Sequence, residues 1–223
     1  MTHSNFDWIA TAQKKYLCRY HYNICKMKAK SIIILILGLI GCSCSKFTGS
    51  KEPLYIGDEI SSDTTHNVLV AYFSRSGNTE QVATAIAEHT GATLYRIERE
   101  VPYPEDFEDC ATEAKSELND SIFPALKDTI ADFDKYDVIF VGGPVWWHTA
   151  PMPVLSFLKK SGYDFNGKIV VPFCSYANMF PHETLLELVD STPNSLHPTG
   201  FISEKGDTTG IAQWLDDINL KLK

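Results

Sequence analysis

One stretch decides the fold: Val68-Leu69-Val70-Ala71-Tyr72-Phe73-Ser74-Arg75-Ser76-Gly77-Asn78-Thr79. Its apolar first half predicts a buried β-strand, and its hydroxyl-rich second half predicts a turn. A helical pattern follows from Glu80 to His89. Free backbone N–H groups and the helix dipole make the start of such a helix a good place for an anion. The stretch therefore predicts a strand, a phosphate-binding loop and a helix, in that order.

Residues 74–79, called the phosphate loop below, differ from two common nucleotide-binding motifs. No Gly-Lys-Ser/Thr sequence ends the loop, and Gly77 is its only glycine, so it is neither a Walker A loop nor a dinucleotide fingerprint. Asn78 is expected to cap the helix, with Gln81 reaching back as in a capping box. Arg75 could face either the phosphate or solvent. The alternative interpretation is a serine-rich turn without a ligand.

Strand and helix patterns alternate through the rest of the chain, which indicates a parallel sheet wrapped by helices. Strands are expected near 68–73, 92–98, 137–142, 168–173 and 196–202, and helices near 80–90, 105–118, 124–133, 153–160, 182–189 and 208–222. Five strands in this pattern predict a doubly wound α/β sheet of order 2-1-3-4-5. Its ligands are expected at the carboxyl ends of strands one and three.

The loop after the third strand has the composition expected of a ligand site. Trp146 and Trp147 are adjacent in a segment framed by glycine and proline, and at most one of them can point inward. The other would offer a flat surface to a heteroaromatic ring, and Trp146 is the preferred stacking partner. The alternative is that both indoles cover a hydrophobic seam. After the fourth strand, Tyr176 could cover the opposite face of the ring.

Residues 67–223 resemble the flavodoxin-like family, in the branch with a Gly-x-Pro-x-Trp-Trp loop after strand three. Ser74, Ser76, Gly77 and Thr79 match its phosphate pattern Ser/Thr-x-Ser/Thr-Gly-x-Thr. The resemblance implies a three-layer sandwich with non-covalent FMN. The implied cofactor-binding residues are Ser74, Arg75, Ser76, Gly77, Asn78, Thr79, Pro144, Val145, Trp146, Trp147, His148, Ser175, Tyr176, Ala177 and Asn178. The chain departs from the branch because residues 176–179 contain no glycine.

Three functions remain open on these residues. The first is an FMN-dependent electron carrier or small reductase, with a redox partner protein or a quinone-like substrate. The second is an NAD(P)H-dependent quinone or nitro reductase proper, in which His148 could deliver a proton. The third is a binding module that has kept the fold and lost FMN. No zinc or other metal spacing accompanies the cysteines and histidines.

The amino-terminal part predicts a bacterial lipoprotein signal. Lys28 and Lys30 form a basic head, residues 31–40 are almost wholly aliphatic, and Gly41 precedes Cys42, the expected acylation site. The apolar run is about half of the ~20 residues that span a bilayer, so a transmembrane anchor is the weaker reading. We expect translation to start at Met27, residues 1–41 to be removed, and residues 42–66 to form a lipidated tether for a domain over residues 67–223.

This organisation places the domain at the cell envelope, outside the cytosol, and changes its charge. Six of the 20 lysines and arginines precede Cys42, but only one of the 28 aspartates and glutamates does, which leaves a formal net charge of about −13 on the remainder. Such an acidic surface argues against a nucleic-acid partner. It favours a cationic docking partner or none.

Overall fold

The computed structural model describes residues 57–58 and 66–219. Five strands are formed: β1 (Val68–Tyr72), β2 (Thr93–Arg96), β3 (Val138–Pro144), β4 (Ile169–Tyr176) and β5 (Phe201–Glu204). Five helices accompany them: α1 (Asn78–Thr90), α2 (Phe107–Asp120), α3 (Met152–Lys160), α4 (Pro181–Asp190) and α5 (Ile211–Asp217). The predicted signal sequence, with Met27 and Cys42, and most of the predicted tether lie outside the described residues.

The strands form one parallel sheet of order β2-β1-β3-β4-β5, which confirms the predicted topology. β1 pairs with β3 in the register Val70 to Phe140, and β3 continues to β4 through Phe140 to Val171. These central strands are continuous apolar runs because helices cover both faces of the sheet. In the described part of the chain, no helix is long and apolar enough to cross a membrane.

Alternate residues of each strand supply two hydrophobic cores, one on each face of the sheet. Leu69 and Ile139 face a core that includes Phe157 of α3. Val70 and Phe140 face the other core, which includes Ile86 of α1 and residues of α5. The result is the predicted three-layer sandwich, with the carboxyl ends of all five strands meeting at one edge.

The helix expected at 124–133 is wrong. Arg99 forms an antiparallel bridge with Leu126, the Glu100 N–H donates to the Ala125 carbonyl at 2.9 Å, and the Lys127 N–H donates to the Glu98 carbonyl at 2.9 Å. Because its peptide groups pair with the chain leaving β2, the segment stays extended. Helical structure appears there only as a 3₁₀ turn at Phe133–Lys135.

Several strand and helix ends also differ from expectation. β3 and β4 each run past the predicted end because Gly143 pairs with Cys174 and Pro144 with Ser175. β5 begins at Phe201 rather than near residue 196, since Pro198 has no N–H to offer and Leu196 makes only a single bridge to Ile169. The described closing helix is also short, Ile211–Asp217, and the predicted end at Leu222 lies outside the described residues.

Candidate functional site

Three predicted loop segments meet at the carboxyl edge of the sheet. The Phe73 N–H, just before the phosphate loop, donates to the Gly142 carbonyl at 3.0 Å. The Val145 N–H donates to the Ser175 carbonyl at 2.9 Å, which joins the loop after β3 to the end of β4. The fold thus brings residues 74–79, 144–148 and 175–178 to one continuous edge.

The phosphate loop ends at a left-handed glycine. Gly77 has φ 91° and is the N-cap of α1, and its N–H donates to Ser74 Oγ at 3.2 Å. The expected Asn78–Gln81 capping box is wrong, since Asn78 is already the first helical residue and the Gln81 N–H donates to the Gly77 carbonyl at 3.0 Å. Glycine takes this positive φ without the steric strain that a Cβ would add.

The start of α1 fits an anion. No side chain caps the helix at Gly77, so the first N–H groups keep their donor capacity. The open side of Gly77 has no atom within 4 Å of the place where a Cβ would stand, and Ser76 is exposed beside it. Backbone donors, one exposed hydroxyl and the helix dipole therefore face the same open space, as a phosphate monoester requires.

Arg96, at the end of β2, supports this loop and was not predicted. Its Nη2 donates to the Ser74 carbonyl at 2.9 Å, and its Nη1 bonds Glu80 at 2.9 Å. The Tyr72 hydroxyl also donates to Glu80, at 3.0 Å, and burial followed by the nearby carboxylate raises the pKa of Tyr72. Glu80, an acid in the first turn of α1, is thus paired with Arg96 and Tyr72. The parallel pairing of β1 with β2 is the signal that could have revealed Arg96.

Arg75, the formal charge of the phosphate loop, turns toward the segment after β2. Its Nη2 donates to the Glu105 carbonyl at 2.6 Å, and its guanidinium lies 5.8 Å from the ring centroid of Phe107. The sequence left open whether Arg75 faces the phosphate or solvent. The side chain is exposed to solvent, but it also makes this hydrogen bond and ring contact, so neither orientation describes it fully. The other donors at this loop are backbone N–H groups and hydroxyls.

Thr79 and Ser175 form a buried hydroxyl pair between α1 and β4. Their oxygens lie 2.7 Å apart, and both residues are almost fully buried. A pair of hydroxyls uses one of its two hydrogens for the shared bond, which leaves one donor for a further acceptor. The pair therefore ties the phosphate loop to the far side of the site.

The loop after β3, residues 145–149, is called the tryptophan loop below and contains a tight two-residue turn. Trp146 and Thr149 exchange two backbone hydrogen bonds, each 3.0 Å long, and the residues between them, Trp147 and His148, have φ 49° and 69°. Positive φ at two successive residues with side chains is unfavourable, so the surrounding contacts must hold the turn.

The two indoles face different surroundings. Trp146 is half-buried and packs edge-on against Phe73 and Tyr103, with ring centroids 5.3 Å away in each case. Trp147 is 41% exposed, its Nε1 donates to the Ala111 carbonyl at 3.2 Å, and Lys115 Nζ lies 4.5 Å from its ring. Trp146 therefore adjoins the phosphate loop through Phe73, whereas Trp147 lies against α2.

The far wall is linked to the tryptophan loop by stacked rings. Phe180, with φ 65°, stacks on the exposed His148 at a centroid distance of 3.9 Å. Tyr176 is half-buried at the end of β4, and burial, followed by Glu204, raises its pKa. Ala177 and Asn178 are exposed between them.

A further loop, after β5, also reaches this edge and was not predicted. The Lys205 N–H donates to the Tyr176 carbonyl at 2.8 Å. Gly206, with φ 87°, approaches the phosphate loop so closely that a Cβ there would lie 3.0 Å from the Asn78 carbonyl oxygen. This proximity follows from the tertiary fold alone.

Together these features define an α/β sandwich of the flavodoxin-like class. The family described as Flavodoxin matches residues 67–218, and the chain belongs to that family. A Bacteroides uniformis protein assigned as a flavoprotein has a similar structure, with 31% identity and a TM-score of 0.61, covering 69% of this chain and 99% of its own. A Lactobacillus acidophilus flavoprotein in complex with FMN shares the fold at 18% identity and a TM-score of 0.55, covering 68% of this chain and 99% of its own.

Curated relatives match a shorter part of the chain. An NAD(P)H dehydrogenase (quinone) of Acidovorax ebreus is 33% identical over 120 residues, which are 49% of this chain and 56% of the relative. A protein of the same name from Azorhizobium caulinodans is 34% identical over 118 residues, with the same coverage. The chain thus spans about half the length of these relatives.

Proposed function

We propose that the domain binds FMN without a covalent bond at the carboxyl edge of its sheet and serves as an oxidoreductase or electron carrier. The observation that carries this proposal is the uncapped start of α1, with Gly77 and Ser76 open to an anion, beside a loop with two tryptophans. The structural likeness to a flavoprotein that holds FMN supports it. Bound FMN would supply one- and two-electron transfer.

Different residues of this chain are proposed to bind the phosphate and the isoalloxazine of FMN. Ser76 and the first N–H groups of α1 hold the phosphate, and the Thr79–Ser175 pair adds one hydroxyl donor. Trp146 is the preferred partner for the isoalloxazine, because its contact with Phe73 places it next to the phosphate loop. Tyr176, Ala177 and Asn178 close the far side. His148, exposed in the tryptophan loop, is the candidate proton donor in a reductase.

Titration of the purified full chain in detergent with FMN and riboflavin tests the proposal. FMN is expected to give a flavin absorbance band and to bind far more tightly than riboflavin, because only FMN carries the phosphate. Equal affinity for the two would refute the phosphate loop. No flavin bound at all would favour the third function, a binding module without cofactor.

The second candidate, an NAD(P)H-dependent quinone reductase, is favoured by the names of the curated relatives. The two functions differ in one measurable property. A reductase proper oxidises NAD(P)H with a quinone as acceptor, whereas an electron carrier needs a partner protein to reduce it. Stopped-flow mixing of the FMN-loaded chain with NADPH distinguishes them, since only a reductase bleaches the flavin without a partner.

We further propose that the domain is anchored at the cell envelope through acylated Cys42. The basic head contains lysines and no twin arginine, so the chain is expected to cross the membrane unfolded and to acquire FMN afterwards. Its flavin occupancy should then depend on supply outside the cytosol. Cys42→Ser should release the protein from the membrane fraction with unchanged FMN affinity. A Cys42→Ser protein that stays in the membrane fraction would instead favour a retained apolar segment as the anchor.

A further inference from the structure

A buried polar cluster lies behind the tryptophan loop. Arg99 and Glu117 have side chains only 10% and 6% exposed, and Arg99 Nη2 lies 3.1 Å from Glu117 and 2.7 Å from the more open Glu113. The Tyr103 hydroxyl donates a hydrogen bond to Glu117. The Arg99 guanidinium covers the Tyr103 ring at 3.9 Å from its centroid.

This cluster is poorly explained as a device for stability. Arg99 Nε and Nη1 are buried without a hydrogen-bond partner, and unsatisfied buried donors are unfavourable. Burial is also the main reason that the pKa of Glu117 is raised, so its carboxylate is held in an environment that disfavours charge. Buried ion pairs are often replaced by apolar residues with no loss of stability. Retaining one here calls for another role.

The aromatic residues that Tyr103 contacts indicate this role. Tyr103, fixed by Glu117 at its hydroxyl and by Arg99 on its face, presents an edge to Trp146 at 5.3 Å and to Phe73 at 6.1 Å. Trp146 and Phe73 are also in edge contact with each other at 5.3 Å. One continuous path therefore runs from the buried ion pair to the half-buried indole of the tryptophan loop.

We infer that Arg99, Glu117 and Tyr103 are positioning residues that hold the Trp146 indole in one orientation for the flavin ring. The inference rests on the proposed function for its ligand, but the positioning itself can be measured without flavin. The two backbone hydrogen bonds of the turn fix the Trp146 backbone, but they do not fix the orientation of its indole. The Tyr103 contact supplies it from outside.

The central variant replaces the ion pair by apolar side chains, Arg99→Met with Glu117→Leu. We expect an unfolding midpoint equal to or above that of the parent, together with about three- to tenfold weaker flavin binding, the effect of one lost aromatic contact. FMN and riboflavin should weaken by the same factor, because the ring is affected and the phosphate is not. The matched control is the half-exposed ion pair of α3 and α4, Lys159→Met with Glu187→Leu, which should leave both affinities unchanged.

A second series keeps the test decisive if the central variant is unstable. Tyr103→Phe keeps the ring and loses only its bond to Glu117, so it should bind flavin more tightly than Tyr103→Leu. Adding Tyr103→Leu to the central variant should cause no further loss, since both act through one contact. Additive losses would overturn the inference, as would a loss of FMN affinity with riboflavin affinity unchanged.

Near-ultraviolet circular dichroism of the flavin-free chain separates this inference from the proposed function. The signal of a fixed Trp146, identified by comparison with Trp146→Phe, should decline in the central variant and in Tyr103→Leu, and persist in the Lys159–Glu187 control. A signal unchanged in the central variant would overturn the positioning role even if the parent binds FMN. A declining signal in a chain that binds no flavin would sustain the positioning of Trp146 and refute only its ligand.

Discussion

The two edges of the sheet are built differently. At the carboxyl edge, Trp147, His148, Phe180 and Lys205 all have positive φ in loops that follow strands. At the amino edge, polar groups are paired across the loops: the Asn67 N–H donates to Asp137 Oδ2 at 2.9 Å. Positive φ also occurs away from this edge, at Ser121 and Asp132, but the uncapped start of α1 leaves backbone donors at the carboxyl edge that a ligand can meet.

The amino edge also contacts residues 57–58, which belong to the segment expected to form the tether. The Asp58 N–H donates to the His197 carbonyl at 2.7 Å, and the His197 N–H donates back to Asp58 Oδ2 at 3.0 Å. His197 is buried, with Nε2 at 2.9 Å from Thr192 Oγ1. Residues 57–58 therefore contact the domain on the side opposite the candidate site.

The largest expected effect is a loss of FMN affinity when hydroxyls of the phosphate loop, at the carboxyl edge, are removed. Ser76→Ala and Thr79→Val each remove a hydroxyl from an anion, at ~1.5 to 3 kcal/mol per charged hydrogen bond, or about ten- to a hundredfold in FMN affinity. Thr79→Val also leaves buried Ser175 without its partner. Riboflavin affinity should change much less, and isothermal titration with both ligands provides the measurement. Equal losses for both ligands would contradict the phosphate assignment.

A second variant should disrupt only the contact of residues 57–58 at the amino edge. A Cβ on Gly57 would lie 2.1 Å from the Thr199 nitrogen, so Gly57→Ala should detach residues 57–58 from the domain. Overpacking of this kind costs ~1 to 3 kcal/mol, which detachment of the local contact relieves. We expect faster proteolytic cleavage near residue 58 and an unchanged FMN affinity. Weaker FMN binding by Gly57→Ala would show that the two edges are coupled.

A third comparison separates the two tryptophans within the carboxyl edge. Trp146→Ala should weaken FMN about three- to tenfold, as for one lost aromatic contact, while Trp147→Ala should have the smaller effect. FMN should also quench less of the remaining fluorescence in Trp146→Ala. The reverse order would assign the stacking role to the exposed Trp147, and two parent-like titrations would refute the platform altogether.

The smallest effect concerns pH. Burial lowers the pKa of His182, at the start of α4, below its ordinary value of 6.5. The folded chain then binds fewer protons than the unfolded chain, so the stability associated with neutral His182 is lost as pH falls from 6.5 through the folded pKa. His182→Asn should flatten this dependence in urea unfolding at a pH above 6.5 and at one about a unit below it. A parent-like slope in His182→Asn would contradict it.

The sequence predicted the topology because its signals are local. Val68 to Tyr72 is apolar throughout, and alternating strands and helices leave few parallel arrangements. The phosphate loop was recognised for the same reason, since its hydroxyls and Gly77 are contiguous. The 124–133 segment misled the prediction because its pairing partners, residues 98–100, lie far away in the chain.

Residue patterns by themselves predicted the alternating strands and helices, the position of the phosphate loop and the presence of a tryptophan pair after the third strand, because each depends on neighbours in the chain. The strand order 2-1-3-4-5 was the arrangement that fitted this pattern, and the sheet confirms it. Only the tertiary structure decided how that edge is supported. It places Arg96 behind Ser74, directs Arg75 to Glu105, and connects Arg99 to Trp146 through Tyr103. These contacts join residues from different elements, and their geometry depends on how helices and loops pack against the finished sheet.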